Sequence, residues 1–574
     1  MRRRGLAIAV LFCLLATMVA PVATAKRGAS GPPPKAAENA QTTEIQILGL
    51  NDFHGQLEPV PATSSGGRIG ATPAGGVEYL ATHVRELRST NPNTLFVSAG
   101  DLIGATPLIS ALFHDEPTIE AFNLMGLDYN GVGNHEFDEG VDELLRMQQG
   151  GCHPVDDCID GDPFHGAEFQ MLAANVAYKD TGETIFPPYA IHHFAGVKIA
   201  IVGMTLEGTP SIVSPAGISH VDFFDEADSV NALVPQLQRQ GIETIIVLLH
   251  EGGSVTGGLT ETTINQCNNP TGALPPIVER MHPAIDVVVT GHTNWAVNCE
   301  LFGKVVTGAA ATGRLITDID LTISRATKDV VAVSVDNKIV TQDVAKAPDL
   351  TALVTKYKAL SAPLANRVVG QITADILRTQ NAAGESSLGN FIADSQHFAT
   401  QDPALGGAVA AFMNPGGIRA DLTFPSSPEG EGDGVVTYGE IFTVQPFGNS
   451  LVTMTLTGQQ IDTLLEQQFD NPGVGQSRML QVSSSFSYSW TAAAPTGSKV
   501  DIGSIMINGA PIDPLGSYRV TVNSFLADGG DNFFVLVQGT DRLGGDVDLD
   551  AVEKYFLSQP GPVAPPALGR ITRL

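Results

Sequence analysis

The sequence predicts an α/β protein whose larger part is a layered domain with buried sheets. From Glu44 onward, short apolar runs alternate with stretches of helical spacing, which is the pattern of strands joined by helices. The apolar runs are nearly continuous rather than alternating, so the strands are expected to be buried on both faces. Polar residues and glycines directly follow these runs, as expected where buried strands end in tight loops.

Each element of the first domain, which we place at 44–342, follows from a local pattern. A connecting helix is expected at 343–367, where the pattern turns helical and more charged. We predict helices at 77–87, 117–125 and about 141–149, and strands at 45–50, 95–99, 170–174, 198–204, 244–249 and 286–290.

A second α/β unit is predicted at 368–574. Two domains suit a chain of 574 residues, which is too long for one hydrophobic core. An apolar content of 43% with 16% charged residues indicates packed domains rather than a disordered chain. The predicted strands of this unit are 407–412, 450–456, 486–490, 504–507 and 518–523, and its helices are 387–399, 457–469 and 549–557.

Residues 1–25 have the three parts of a secretory signal peptide. An arginine triplet at 2–4 precedes an apolar run at 6–19 that is short for a membrane span, and a small-residue cleavage site ends at Ala25. A buried N-terminal helix or an uncleaved anchor is the alternative. Residues 26–43 are expected to be a flexible linker. We therefore predict a mature chain without a membrane span that is secreted, periplasmic or held at the cell surface.

Cysteine usage agrees with export. Cys13 lies in the predicted signal peptide, and an even number of cysteines remains for an oxidising compartment. Four cysteines allow three pairings. We favour one bond between Cys152 and Cys158, which closes a short loop, and one between Cys267 and Cys299.

The formal net charge of −29 argues against a nucleic-acid polymer as partner, because surfaces that follow a chain of phosphates are basic. A small phosphorylated substrate remains compatible with this charge. Metal ions and a few arginines dominate at contact distance, while remote acidic charge is screened by salt. No pattern in the sequence predicts an oligomeric state.

Side chains suited to metal binding stand at five strand ends. Any one of them alone would more often be a turn, cap or structural residue, so the prediction rests on their joint occurrence. Carboxylate, imidazole and amide ligands together suit Zn²⁺, Mn²⁺ or Co²⁺, and a shared carboxylate would place two ions about 3.5–4 Å apart. We predict two divalent metal ions held by Asp52, His54, Asp101, Asn134, His250, His292 and Asn294.

These segments resemble the calcineurin-like metallophosphoesterases. The longer motifs at 51–55 and 133–138 are similar to the 5′-nucleotidase branch, and the resemblance extends over roughly 44–545. It implies that Asp52, His54 and Asp101 share the first ion with His292 or Asn294. Asp101, Asn134 and His250 would hold the second ion together with the 291–294 loop.

The same resemblance implies that His135 and Asp138 are the catalytic pair. An imidazolium near the scissile phosphate would stabilise developing charge or protonate the leaving oxygen, and a carboxylate three residues later would orient it and raise its pKa. The implied nucleophile is a metal-bound water, without a covalent enzyme intermediate. The sequence has no Gly-x-Ser-x-Gly motif, which counts against a serine esterase.

The second domain carries segments similar to the 5′-nucleotidase C-terminal domain. In that family two aromatic rings sandwich the nucleobase, an Asp holds the ribose, and an Asn and an Arg contact base and phosphate. The glycine-containing turn at 414–419 presents an amide and a guanidinium. It suits phosphate binding, because guanidinium groups bind phosphate oxygens through a planar fork. The implied substrate-binding residues are Asn414, Arg419, Phe447, Phe525, Asp531 and, as a further phosphate contact, Arg378.

The sequence therefore predicts an exported, two-metal 5′-nucleotidase that releases phosphate from nucleoside 5′-monophosphates. A 2′,3′-cyclic nucleotide phosphodiesterase and a nucleoside diphosphate-sugar hydrolase are alternatives, because metal ligands do not separate the three activities. The non-enzymatic alternative is an extracellular nucleotide-binding protein. That alternative predicts a missing ligand or catalytic residue, whereas every expected position is filled.

Overall fold

The computed structural model describes residues 41–62, 65–194, 196–213, 215–256, 258–267, 269–425 and 430–574. The predicted signal peptide, and the predicted linker up to residue 40, lie outside the described residues. Thr42 and Thr43, which the sequence analysis places in the linker, instead belong to the first strand, Thr42–Leu50.

Two six-stranded sheets form the centre of the first domain. In spatial order, the first sheet contains Val330–Ile339, Leu315–Ser324, Thr42–Leu50, Thr94–Ser98, Tyr129–Gly131 and Gln170–Leu172. The second contains Ala296–Leu301, Lys304–Ala309, Val287–Thr290, Thr244–Leu249, Val197–Met204 and Tyr189–Phe194. The last four strands of the first sheet pair in parallel, and so do the four inner strands of the second.

Apolar side chains cover both faces of each sheet, which confirms the predicted layered α/β class with buried sheets. Ile47 packs between the two sheets and its neighbour Leu48 packs on the outer face, as the alternation of side chains along a strand requires. Helices cover the two outer faces. They are Val77–Arg88, Glu116–Met125 and Val141–Gln149 on the first sheet, and Glu226–Arg239 and Leu274–Arg280 on the second.

The connecting helix, Pro348–Ala365, packs against the first domain. Lys346, just before it, pairs with Glu78 at 2.6 Å, and Lys358 within it pairs with Glu58 at 3.0 Å. Tyr357 is fully buried among residues of the first domain's core. The helix is therefore fixed to the domain that precedes it.

The second domain contains a mixed five-stranded sheet and a smaller four-stranded one, so the predicted α/β class is confirmed here as well. The larger sheet consists, in spatial order, of Gln481–Val482, Ala410–Met413, Ser517–Asn523, Ser450–Thr457 and Thr540–Val547. The smaller consists of Ala510–Pro511, Met506–Ile507, Phe486–Trp490 and Ile571–Arg573. The main helices are Ser387–Thr400, Tyr438–Val444, Gly458–Glu466 and Asp548–Ser558.

Short elements complete the fold. Two-stranded ladders pair Arg68–Ile69 with Thr72–Pro73, Val176–Tyr178 with Val221–Phe223, and Val368–Gln371 with Val435–Thr437. Short helices occupy Leu108–Ala111, Pro215–Ile218 and Ser524–Ala527. The predicted strand at 504–507 is shorter than expected, because Ile502–Ser504 forms a 3₁₀ turn.

The structure confirms the preferred disulfide pairing. Cys152 is bonded to Cys158, and Cys267 is bonded to Cys299. Within the described ranges, no helix combines the length and the apolar character that crossing a membrane requires.

Candidate active site

The predicted strand ends converge at one edge of the two sheets. Asp52 follows the first strand and Asp101 follows its parallel neighbour Thr94–Ser98. Backbone hydrogen bonds join the two loops, from Asp52 N to Gly100 O at 2.9 Å and from His54 N to Asp101 O at 3.0 Å. The loops therefore present their side chains to the same space.

The predicted metal ligands stand on unusual backbone. Asp52, His54, Asp101, His292 and Asn294 all have left-handed φ values, between 49° and 69°. Such conformations cost on the order of 1–3 kcal/mol each for residues other than glycine and cluster at functional sites. Here the tight turns direct side chains from neighbouring strands toward one point.

Asp52 has one carboxylate oxygen fixed by the protein and one without a partner. Its Oδ2 accepts hydrogen bonds from Asn51 Nδ2 at 2.5 Å and from His292 N at 3.0 Å. Its Oδ1 is fully buried and has no hydrogen-bond partner within the described chain. A buried, unpartnered carboxylate oxygen is costly unless a cation occupies the space before it.

Asp101 lies at the centre of the cluster. Its Oδ2 is 3.0 Å from His250 Nε2 and 3.8 Å from His54 Nε2, so it stands between two imidazoles. Its Oδ1 accepts the backbone N–H of His135 at 2.9 Å. This is the position that a carboxylate shared by two metal ions requires.

Asn134 lies between the imidazoles of His250 and His292. Its Oδ1 is 3.1 Å from His250 Nε2 and 2.9 Å from His292 Nδ1. Ligand atoms of Asp101, His250 and His292 lie close enough to bind one ion, and those of His54 and Asp101 form a second group with His135. His292 is thus on the side of the second predicted ion.

The orientation of the imidazoles fits metal binding. His54 Nδ1 is 2.9 Å from Gly104 O, and His250 Nδ1 is 2.7 Å from Ala99 O. If each Nδ1 donates to its carbonyl, the Nε2 lone pairs point at the carboxylates. A cation between the Nε2 atoms and the carboxylate oxygens would remove the repulsion between their lone pairs. Burial lowers the pKa of His54 and of His292 to about 3, so both imidazoles are neutral and keep a lone pair for a metal ion. Burial also opposes protonation of His250, but the neighbouring carboxylates, Asp101 first, raise its pKa to about 10, so a divalent ion would have to replace that proton. The residues present therefore fit two divalent ions.

Asn294, the seventh predicted ligand, is exposed, and its side chain makes no hydrogen bond to any described residue. Asn294 stays a predicted ligand, whereas the other six predicted ligands lie together.

His135 and Asp138 form the predicted contact, with His135 Nδ1 2.8 Å from Asp138 Oδ2. Burial opposes protonation of His135, but the charge and hydrogen bond of Asp138 together with the charge of Asp101 outweigh burial, so the pKa of the imidazole is raised. The His135 ring lies 5.1 Å from the His54 ring, at the edge of the metal cluster. The pair is placed to hold a proton beside a phosphate bound there.

Two predicted substrate residues of the second domain reach this cluster. The Phe447 ring lies parallel to the His135 ring, with 5.8 Å between centroids. The Arg419 guanidinium lies 6.0 Å from the Phe447 ring. Burial and the charge of Arg378 lower the pKa of Arg419, and the charges of Asp101, Asp138 and Asp52 offset only part of this effect. A guanidinium among these carboxylates is suited to bind phosphate oxygens.

The remaining predicted substrate residues form a second group. Asn414 Nδ2 donates to Asp531 Oδ2 at 2.8 Å, and the Phe525 ring packs against Gly530, next to Asp531. Arg378 is exposed, and its Nη1 donates to the carbonyl oxygen of Arg419 at 2.7 Å. Arg378 thus supports the Arg419 loop in this structure.

Comparison with known proteins agrees with this arrangement. Residues 45–295 match the calcineurin-like phosphoesterase family, and residues 368–538 match the 5′-nucleotidase C-terminal domain. The cell wall protein Lmo0130 of Listeria monocytogenes is 30% identical to this chain, over 91% of it and 68% of the relative.

The chain belongs to the 5′-nucleotidase family.

Members of this family differ in length and in name. The endonuclease YhcR of Bacillus subtilis is 32% identical over 92% of this chain, which spans only 41% of that relative's length. The crystal structure of a 5′-nucleotidase precursor from Thermus thermophilus matches with a TM-score of 0.73 and 26% identity, covering 93% of this chain and 99% of that one. Calcineurin-like phosphoesterases use divalent metals, which agrees with the geometry of the cluster.

Sequence reasoning did not assign a role to two residues of this 5′-nucleotidase fold. Glu136 is buried, and its carboxylate accepts the backbone N–H groups of Asp101, Leu102 and Gly133 at 2.7–2.9 Å. It ties together the loops that carry the ligands. Its position within the 133–138 motif was a signal that could have identified it.

The second unassigned residue is Arg478, which forms an ion pair with Asp531. Arg478 lies in an irregular segment between Gly458–Glu466 and Gln481–Val482, without a motif around it. No local signal points to it, because its partner is distant in sequence and the contact arises only in the folded domain.

Proposed function

We propose that this protein is a metal-dependent phosphohydrolase that releases phosphate from nucleoside 5′-monophosphates. The observation that carries this proposal is the parallel contact of the Phe447 and His135 rings at 5.8 Å. It brings the aromatic group expected to bind a nucleobase against the residue expected to transfer a proton. A phosphoesterase that acts on small phosphates without a base needs no such aromatic side chain.

The residues take roles that follow from their contacts. Asp101 would bridge two divalent ions, Asp52 and His54 would complete one site, and Asn134, His250 and His292 the other. When bound, such ions neutralise phosphate oxygens and activate water. Zn²⁺, Mn²⁺ and Co²⁺ all suit this mixed set of ligands.

The protein's own groups would position the phosphate and move a proton. Arg419 would bind phosphate oxygens from the second domain. His135, held through Nδ1 by Asp138 at 2.8 Å, would present its Nε2 to the leaving oxygen of the ribose. Phe447 and Phe525 would stack on the base, Asn414 would contact the base, and Asp531 would hold the ribose.

The purified protein tests this proposal against a panel of AMP, UDP-glucose, 2′,3′-cyclic AMP and bis-p-nitrophenyl phosphate, with Mn²⁺ or Zn²⁺. We expect phosphate release from AMP that EDTA abolishes and added metal restores. Preference for the cyclic or diester substrate would be compatible with the predicted metal site but would contradict the proposed 5′-nucleotidase activity. The 32% identity to a protein named as an endonuclease makes a diester the second candidate.

We also propose that the chain is exported. Its two disulfides suit an oxidising compartment, and Lmo0130 is named as a cell wall protein. Expression of the full chain followed by N-terminal sequencing of the extracellular protein tests this. A start at Lys26 is expected, and a chain retained in the cell with an intact N-terminus would contradict it.

A further inference from the structure

The side chain of Asp115 is turned away from the helix that it precedes. Asp115 stands directly before helix Glu116–Met125, a position where an aspartate usually accepts an N–H of its own helix, yet its carboxylate makes no such bond. Asp115 is only 7% exposed and has a left-handed φ of 61°. Its Oδ2 accepts the backbone N–H of Gly104 at 3.0 Å, and its Oδ1 accepts Ser110 Oγ at 2.7 Å. The carboxylate is therefore directed at the loop that follows Asp101.

Gly104 connects this carboxylate to the candidate active site. Its carbonyl oxygen lies 2.9 Å from His54 Nδ1, so a single residue separates Asp115 from an imidazole that is a predicted metal ligand. An added Cβ on Gly104 would lie 2.5 Å from His135 O and 2.8 Å from Asp138 Oδ2, so the turn packs closely on the proposed catalytic pair. A shift of this turn would therefore move the hydrogen-bond partner of His54.

The turn around Gly104 has a backbone conformation that other contacts must hold in place. Asp101, Gly104 and Ala105 all have left-handed φ values, of 53°, 78° and 50°. Residues other than glycine adopt such values at an energetic cost, and they stay there only where the surrounding structure fixes them. The hydrogen bond from Gly104 N to the buried carboxylate of Asp115 is such a contact, because it ties the turn to a second segment of the chain.

We propose that Asp115 is a positioning residue for the metal centre, and that it acts on His54 through the Gly104 turn. The inference rests on the proposed metal-dependent function, and it adds a residue outside the predicted ligands and the predicted substrate pocket. A metal-binding imidazole is oriented by the group that accepts its other N–H, and loss of such a partner lowers metal affinity about 10- to 100-fold. Here the acceptor is a backbone carbonyl, so its position depends on the contacts that hold its own residue.

Asp115→Gly removes the carboxylate and keeps the backbone conformation, because glycine adopts left-handed φ values without strain. Calorimetric titration of the metal-free variant with Mn²⁺ measures the binding of each ion without any substrate. We expect one ion to bind as in the wild type, and the ion assigned to Asp52 and His54 to bind about 10- to 100-fold more weakly. Binding of both ions with wild-type affinity, or an equal loss for both, would overturn the proposal.

Two further variants separate positioning from a purely structural role. Asp115→Asn should restore most of the affinity, since its amide oxygen can still accept the Gly104 N–H while its NH₂ group donates to Ser110 Oγ. Ser110→Ala is the matched control, because it removes the other hydrogen bond of the same carboxylate and leaves the bond to Gly104 in place. We expect Ser110→Ala to lower Tm and to bind both ions with wild-type affinity. A loss of metal affinity as large as in Asp115→Gly would contradict the assignment.

A double variant tests whether Asp115 acts through His54. His54→Ala removes the imidazole, so the addition of Asp115→Gly should not weaken binding of the affected ion any further. A further loss as large as that of Asp115→Gly in the wild-type background would contradict action through His54. The comparison also identifies the affected ion as the one on the His54 side.

Metal binding separates this proposal from the proposed nucleotidase activity. A selective loss of one ion in Asp115→Gly, together with a wild type that prefers a diester to AMP, would support the positioning role and reject the nucleotidase. Hydrolysis of AMP by the wild type, together with normal binding of both ions by Asp115→Gly, would reject the positioning role alone. A wild type that binds no ion would overturn both.

Discussion

His135 and Phe447 lie with their rings nearly parallel, at 16° and with 5.8 Å between centroids, although they belong to different domains. His135 is held by Asp138 at the edge of the metal cluster, and Phe447 belongs to the predicted nucleobase pocket. The contact places the two halves of the candidate site next to each other.

Replacing Phe447 with alanine should weaken nucleotide binding without removing the chemistry. A base stacked on an aromatic ring gains about 1–3 kcal/mol, so KM for AMP should rise about 5- to 150-fold. Hydrolysis of ribose 5-phosphate, which has no base, should change much less. Steady-state kinetics with both substrates measures this, with the exposed Phe534→Ala as control. A similar loss for both substrates would contradict a base-binding role.

Replacing His135 with alanine should lower kcat for AMP about 10²- to 10⁴-fold, because a positioned proton donor is lost. KM should change little, since the metal ligands and the base pocket remain. His193→Ala, an exposed histidine on strand Tyr189–Phe194, is the matched control. Turnover by His135→Ala at the wild-type rate would exclude this residue from catalysis.

Asp138→Asn should shift the pH dependence of kcat. Burial lowers the pKa of His135, but the charge and hydrogen bond of Asp138 and the charge of Asp101 together raise it above its ordinary value. An acid catalyst loses activity as pH rises through its pKa, so without Asp138 that loss should occur at lower pH. A pH–rate profile that keeps its alkaline limb in place would show that His135 does not act as the acid.

Gly133→Ala should disrupt the metal centre. An added Cβ would lie 2.3 Å from Asp101 Oδ1 and 2.8 Å from His250 Cε1, so the shared carboxylate would have to move. We expect about 10- to 100-fold weaker metal affinity, as for other changes that misorient ligands. Gly544→Ala, where a Cβ meets no atom within 4 Å, is the control. Equal metal content in the two variants would refute the close approach.

His114 should make stability depend on pH. Burial lowers its pKa, but the hydrogen bonds to Glu139 and Asp156 together with the charges of Glu139 and Glu143 outweigh burial and raise the pKa to about 9. The pKa of His114 in the folded protein exceeds the unfolded value of about 6.5. The contribution of His114 to the free energy of unfolding is therefore fully present below about pH 6.5 and is lost as the pH rises through 9. The difference in Tm between wild type and His114→Gln should therefore shrink from pH 6 to above pH 9. A constant difference would contradict the assignment.

The sequence predicts the site better than it predicts the sheets around it. Asp52, Asp101 and His250 could be placed together because parallel strands end at one edge of a sheet. The strands Ala296–Leu301, Lys304–Ala309, Leu315–Ser324 and Val330–Ile339 were not predicted. Val330–Ile339 is mostly exposed or half-buried, so it lacks the continuous apolar run that marks the inner strands.

Tertiary contacts account for what the sequence could not predict about individual residues. The connecting helix was expected from its composition, but its attachment to the first domain depends on distant partners such as Glu58 and Glu78. Arg478 has no motif, and only the fold brings it to Asp531. Asn294 follows His292 by two residues, yet the turn leaves it exposed.

The most direct test of the two-metal site is a titration of metal-free protein with Mn²⁺ while phosphate release from AMP is measured. The bridging position of Asp101, 3.0 Å from His250 and 3.8 Å from His54, predicts that activity rises to a plateau at two ions per chain. Asp101→Asn should bind neither ion tightly and remain inactive. Full activity without metal, or a plateau at one ion per chain, would contradict the account.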